Sequence, residues 1–215
     1  MILHKFIVFE GIDGAGTSTQ IKELKKRPDA AQFLFTAEPT EGETGKFLRR
    51  MLRGDIPLEN TTAAYLFAAD RNEHIYGKLS CEGQTLIRGI AEACTNGRTV
   101  VSDRYLFSSL AYQGVGLGTG TDSLPWQLNS SFPLPQLLFY FDIAPAASLE
   151  RIKGRETKEI YEKEAFLTQA AKNYEAAIAR LAAGETGMKV VILDATKSIA
   201  ELSETIWQEI AGLED

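Results

Sequence analysis

The chain is predicted to fold as an α/β domain, a three-layer doubly wound parallel sheet of five strands flanked by helices. Three observations predict it. Five short apolar runs of strand length, enriched in β-branched and aromatic residues, are spaced along the 215 residues. Longer stretches with helix-compatible spacing separate them, and strand–helix alternation implies parallel strands joined by right-handed crossovers. A glycine-rich turn, "GIDGAGTST", follows the first run at once and leads into the first helical stretch. In that strand–loop–helix order, backbone N–H groups and a helix N-terminus face an anion.

In chain order the strands are expected at "FIVF" (6–9), "FLF" (33–35), "TVVS" (99–102), "LLFYFDI" (137–143) and "KVVIL" (189–193). Helices are expected over 18–27, 45–53, 61–78, 83–94, 146–153, 162–183 and 199–212. "ENTT" (59–62) supplies capping residues for the third of them. "QGVGLGTGTDSLP" (113–125) reads as a flexible loop or a bent helix end. "KGRETKEIYEKE" (153–164) is densely charged and reads either as a solvated helix connection or as a mobile cationic lid. With no repeat and no dividing linker, residues 1–215 are expected to form one domain, with the lid segment at about 153–164.

A net charge of −6 excludes a general nucleic-acid or membrane-surface binder, which would carry a basic balance. It leaves room for small anionic ligands held by local arginines. Cys81 and Cys94 fall in a helix-like stretch and read as reduced structural thiols. Nothing near Met1 reads as a signal peptide, and no apolar run reaches the roughly 18 residues of a membrane span. The cytoplasm is the expected location.

The phosphate-loop pattern G-x-x-x-x-G-K-[ST] is met by Gly11, Gly16 and Ser18 but not at its lysine, where Thr17 stands. Gly11, Gly14 and Gly16 permit a tight backbone path and close approach of phosphate, and Ser18 offers the hydroxyl for Mg²⁺. A plain glycine turn capped by Thr17 or Ser18 is the alternative. One lost transition-state donor costs about 2.7–4 kcal/mol, so a phosphoryl transferase would need its cation from elsewhere. Phe67 and Arg71, four apart, share a helix face, where a ring beside a guanidinium suits a base. Asp103 and Arg104 follow a strand, where ligands bind in doubly wound sheets, and arginine's planar fork matches phosphate. "VILDATKS" follows the last strand and suits a loop against a purine ring.

Taken together, "FEGIDGAGTST", "EPTEGETGK", "YLFAADR", "SDRYLFSSLAYQG", "FDIAP" and "LDATKS" resemble the thymidylate kinase (dTMP kinase) family of phosphate-loop nucleoside monophosphate kinases, almost from end to end. The resemblance implies ATP as phosphoryl donor, dTMP as acceptor, Mg²⁺ as cofactor, and a homodimer as the assembly. It implies that Gly11, Gly14, Ala15, Gly16, Thr17, Ser18 and Thr19, with Ala195 and Thr196, bind ATP. Phe67 would stack on thymine, Arg71 would bond its O4, and Arg104 would hold the acceptor phosphate. Asp13 would contact the nucleotide's sugar or phosphate region, and Asp103 would organise the metal and its waters. Ser108 and Tyr112 would line the thymidine pocket, with Gln113 beside them. The sequence departs from the family pattern at Thr17, at Ala37 in "TAEP" and at Ile160 in "EIYE", each a usual cation position, and an insertion is expected near 76–85. Arg155 and Lys158, at the lid tip, are the expected replacement cations. The reading is a dTMP kinase with a lid-supplied cation. The alternatives are a catalytically impaired nucleotide-binding or regulatory protein, and a kinase for another pyrimidine deoxynucleotide such as dUMP.

Overall fold

The computed structural model describes residues 1–79, 87–154, 159–184 and 186–213. In chain order its elements are β1 (Ile2–Gly11), α1 (Thr17–Lys25), β2 (Leu34–Ala37), α2 (Glu43–Leu52), α3 (Asn60–Tyr76), β3 (Lys78–Leu79), β4 (Ile87–Arg88) and α4 (Ile90–Thr95). There follow β5 (Val100–Asp103), α5 (Leu106–Tyr112), α6 (Gly114–Leu117), α7 (Leu124–Asn129), β6 (Leu134–Asp142), α8 (Pro145–Ile152), α9 (Glu164–Ala183), β7 (Lys189–Asp194) and α10 (Ile199–Ala211). Five strands form one parallel sheet in the order β2-β5-β1-β6-β7. Helices cover it, as the alternating pattern predicts.

β1 is central and covered on both faces, which is why Phe6 to Phe9 read as an unbroken apolar run and not an alternating one. Phe9 packs against Phe139 and Phe141 of β6 at ring separations of 5.1 and 5.7 Å. Register sets Phe9 beside Asp103 and Gly11 beside Phe141. The carboxyl ends of β1 and β5 therefore emerge together, and the glycine turn begins where Asp103 and Arg104 begin. α10 carries a reciprocal capping box, Ser198 with Glu201, that fixes its start next to the "LDATKS" turn.

Two expectations need correction. The capping role given to 59–62 is not realised, since Glu59 precedes α3 with no side-chain hydrogen bond to its first turn. The helix expected over 83–94 exists only from Ile90: Ile87–Arg88 pairs antiparallel with Lys78–Leu79, and Gly89, at φ 24°, breaks helical continuity. Most of the insertion expected near 76–85 lies at 80–86, Cys81 included, outside the described residues. The stretch 113–125 holds α6, kinked at Val115, and the start of α7. Cys94 is free and buried, and burial pushes its thiol up to about 12, an inert state.

Candidate active site

Two cavities open at the carboxyl ends of the strands. The first, about 510 Å³, is walled by the glycine turn from Asp13 to Thr19 together with Arg104, Arg151 and Ala195. The second, about 440 Å³, holds Phe67, Arg71, Asp103, Arg104, Ser108, Tyr112 and Gln113 in its wall. Asp13, Ser18, Arg104 and Glu159 belong to both walls. The two chambers therefore meet at the groups singled out from the sequence for phosphate and metal.

In the turn, Gly14 and Gly16 take φ of 84° and 106°, which L side chains rarely adopt. A side chain at Gly14 would also strike the Ser148 carbonyl of α8, at 2.5 Å from a Cβ. Thr17 opens α1 and is buried, with no acidic residue in the helix's first turn to compete with an anion. Ser18 donates its hydroxyl to Asp103 Oδ2 at 2.5 Å. The other oxygen, Asp103 Oδ1, is buried without a partner among the described residues, as is Asp13 Oδ2. Orphaned carboxylate oxygens beside a hydroxyl are the donor set of a hard cation that also binds phosphate oxygens, so these residues fit Mg²⁺. Among the described residues there is no all-protein cluster of three or more carboxylate, histidine or cysteine ligands.

Arg104 is held from several directions. Its backbone adopts φ 71°, a strained value for arginine, and its N–H bonds Phe9 O at 2.9 Å. Nη2 pairs with Asp13 Oδ1 at 2.5 Å, and Nη1 donates to Gly11 O, Ser108 Oγ and Tyr174 OH at 3.0, 3.1 and 3.2 Å. Its Nε–H and one Nη2–H have no partner among the described residues, leaving donors for a ligand. Burial works against its charge, but Tyr112, Asp13, Tyr174 and Glu10 around it overcome that and hold it protonated. The Tyr112 ring lies under the guanidinium at 5.4 Å, and its hydroxyl accepts from Asp13 N at 3.0 Å.

Arg71 is buried at 1% exposure. Glu38 receives its Nε and Nη2 at 3.0 and 2.7 Å, Ser109 Oγ receives Nη2 at 3.1 Å, and Asn129 Oδ1 receives Nη1. Four of its five N–H groups are thereby committed and one remains for a ligand. Burial would raise the Glu38 carboxyl, but Arg71 and His74 more than offset it and hold it below the ordinary carboxylate value. Phe67, one turn away, is part of the same wall and also packs against the apolar cluster of Leu48, Met51, Leu52 and Ala63.

Ala37 ends β2 in the second cavity's wall, which Arg49 and Arg53 also line. Arg49 donates to the carbonyls of Pro39 and Thr40 and pairs with Glu41 at 2.8 Å, while Arg53 pairs with Asp55 at 3.0 Å. Both expected lid cations, Arg155 and Lys158, lie in 155–158, outside the described residues. The described part just after them is anchored: Ile160 N bonds Leu52 O at 2.9 Å, and the Tyr161 ring stacks on Phe166 at 4.6 Å. Ala195 lines the first cavity, whereas Thr196 does not and turns its hydroxyl to Asp194 at 2.6 Å.

Sequence reasoning gave no site role to Glu10, Glu38, Ser109, Arg151 and Tyr161. Arg151 donates to Ala195 O at 2.8 Å and lies within 3.5 Å of the carbonyls of Gly14 and Ala15, tying α8 to both sides of the first cavity. Of these only Glu10 gave a local signal, a carboxyl at the end of an apolar strand run.

The comparisons agree with this geometry. The family model "Thymidylate kinase" matches residues 9–206. A protein of Treponema pallidum (strain Nichols), provisionally named thymidylate kinase, is 40% identical over 95% of this chain and 94% of its own. A thymidylate kinase of Leptospira borgpetersenii serovar Hardjo-bovis (strain L550) is 39% identical over 79% of this chain and 78% of its own. One from Leptospira interrogans serogroup Icterohaemorrhagiae serovar copenhageni (strain Fiocruz L1-130) is 40% identical over 79% of each. With the glycine turn, the shared wall at Arg104 and the Phe67–Arg71 face in place, and a family match over most of its length, the chain belongs to the thymidylate kinase family.

Proposed function

We propose that the protein transfers the γ-phosphoryl group of ATP to dTMP, yielding dTDP and ADP on the route to dTTP. The observation that carries this is the meeting of the two cavities at Asp13, Ser18 and Arg104. ATP would lie in the first, its phosphates on the turn's N–H groups and its base near Ala195. dTMP would lie in the second, with Phe67 against the thymine ring, the free N–H of Arg71 toward O4, and Arg104 on the phosphate. A phosphate oxygen of dTMP then forms a bond to the γ-phosphorus as the bond from that phosphorus to the β,γ-bridging oxygen breaks. Catalysis of this kind is positioning and charge stabilisation. Mg²⁺, held by Ser18 and Asp103, would supply charge neutralisation on the β- and γ-phosphates.

Thr17 keeps the loop competent to bind phosphate through its backbone but brings no charge. The missing cation comes from the lid, from Arg155 with Lys158 in reserve, within one domain of 1–215. The assembly is a homodimer, supported by an exposed stripe on α3 that includes Tyr65, Ala69 and Tyr76, and sedimentation at monomer mass would refute it. The location is cytoplasmic, and no helix among the described residues is long and apolar enough to cross a membrane.

The test is ADP release, coupled to an optical signal, with ATP, Mg²⁺ and a panel of dTMP, dUMP and dCMP. Turnover is expected to be fastest with dTMP. Absence of turnover with every acceptor would replace the kinase with a nucleotide-binding protein, and preference for dUMP would move the substrate.

A further inference from the structure

Glu10 stands one residue before the phosphate turn, on the central strand, at 0% exposure. It contributes to neither cavity wall, so it touches neither nucleotide. An apolar residue would suit this position better for folding, because a buried carboxyl must lose its water. Its contacts all converge on Arg104. Oε1 accepts from the N–H of Tyr105 at 2.8 Å, next in the chain after Arg104's strained backbone, and of Ser108 at 3.1 Å, within α5. Oε2 accepts from Ser108 Oγ at 2.7 Å and Tyr174 OH at 2.8 Å. Those same two hydroxyl oxygens accept from Arg104 Nη1. The two hydroxyls also lie 2.8 Å apart, where either can donate to the other; a hydrogen drawn to Glu10 leaves that oxygen's lone pairs facing the guanidinium. The carboxyl thus orients two hydroxyls that in turn orient the arginine, while Asp13 holds its other side.

We propose that Glu10 is the positioning residue for Arg104, acting through Ser108 and Tyr174 to aim the guanidinium at the acceptor phosphate. This rests on the reading of Arg104 as the group that holds that phosphate. An amide here cannot do the same work. In one orientation its NH₂ faces the two hydroxyls and turns their hydrogens toward Arg104. In the other it faces the amides of Tyr105 and Ser108, donor against donor.

The experiment compares binding of dTMP with binding of thymidine, which lacks the phosphate, by calorimetry on wild type, Glu10→Gln, Tyr174→Phe, Arg104→Ala and the Glu10→Gln/Arg104→Ala double variant. Glu10→Gln is expected to raise the dTMP Kd about tenfold, the scale of a disturbed charge-assisted hydrogen bond. Thymidine and ATP should change less than about twofold, and the double variant should bind dTMP no more weakly than Arg104→Ala alone. A purely structural role would weaken thymidine and dTMP together. Equal losses for the two ligands, or unchanged dTMP binding in Glu10→Gln while Arg104→Ala weakens it, overturn the inference and leave the acceptor-site reading standing. Unchanged dTMP binding in Arg104→Ala overturns that reading and the inference with it. If Glu10→Gln does not fold, Tyr174→Phe decides: a selective loss for dTMP supports the inference, and none overturns it.

Discussion

At the scale of single residues, the site separates groups that face a ligand from groups that hold them. Phe67 and Arg71 were legible because four-residue spacing on a helix is a geometric statement that survives folding. Their partners were not, because Glu38, Ser109 and Asn129 come from three other elements and meet Arg71 only through the tertiary fold. Phe67 has two duties, as wall of the second cavity and as packing against the apolar cluster that includes Leu48 and Met51. Phe67→Ala is expected to weaken dTMP binding by about 1–3 kcal/mol, the range for base–aromatic stacking, with ATP binding nearly unchanged. Titration calorimetry with both nucleotides checks it, and equal losses would assign the ring to packing alone.

At the scale of elements, the turn after β1 was readable in full, since strand end, glycines and helix start lie consecutively in the chain. The hairpin of β3 and β4 was not, because two-residue arms carry no periodicity to read. Nor was the division of 106–129 into α5, α6 and α7, where glycines and a kink at Val115 interrupt the helical pattern. The turn and the lid are proposed to share one task, split by the loss of the loop lysine at Thr17. Arg155→Ala should then cut kcat by roughly a hundredfold or more, the scale of a lost transition-state donor, with little change in ATP affinity. Thr17→Lys should partly restore that variant, because two cations serving one phosphate do not add. A double-mutant cycle on kcat reads the coupling. Harmless Arg155→Ala and Lys158→Ala would reduce the lid to a solvated connection.

Across the whole molecule, the parallel sheet follows from strand–helix alternation, whereas its order, β2-β5-β1-β6-β7, is a property of the fold; both cavities lie at the strands' carboxyl ends, as the strand-end rule expects. What the chain pays for the site shows in Glu10. Burial pushes its carboxyl up to about 7 against Arg104, Ser108, Tyr174 and the Tyr105 amide, which pull it down, and Asp13, Tyr112 and Tyr140 are further titratable groups around the cluster. A raised carboxyl binds its proton more tightly folded than unfolded, so stability falls as pH climbs from about 4.5 to about 7 and levels off above. The shift corresponds to about 3 kcal/mol. Glu10→Gln lacks it, so melting temperatures taken from pH 4.5 to 8 should move in the variant's favour as pH rises. Parallel curves would show that Glu10 does not titrate there. The most direct measurement of the central claim follows the label from ATP marked in its γ-phosphate, with Mg²⁺, in the presence and absence of dTMP. Direct transfer between adjoining cavities predicts label in dTDP, one for each ADP formed, and almost none in inorganic phosphate. Label released as inorganic phosphate at the same rate without dTMP, with none in dTDP, would contradict the account.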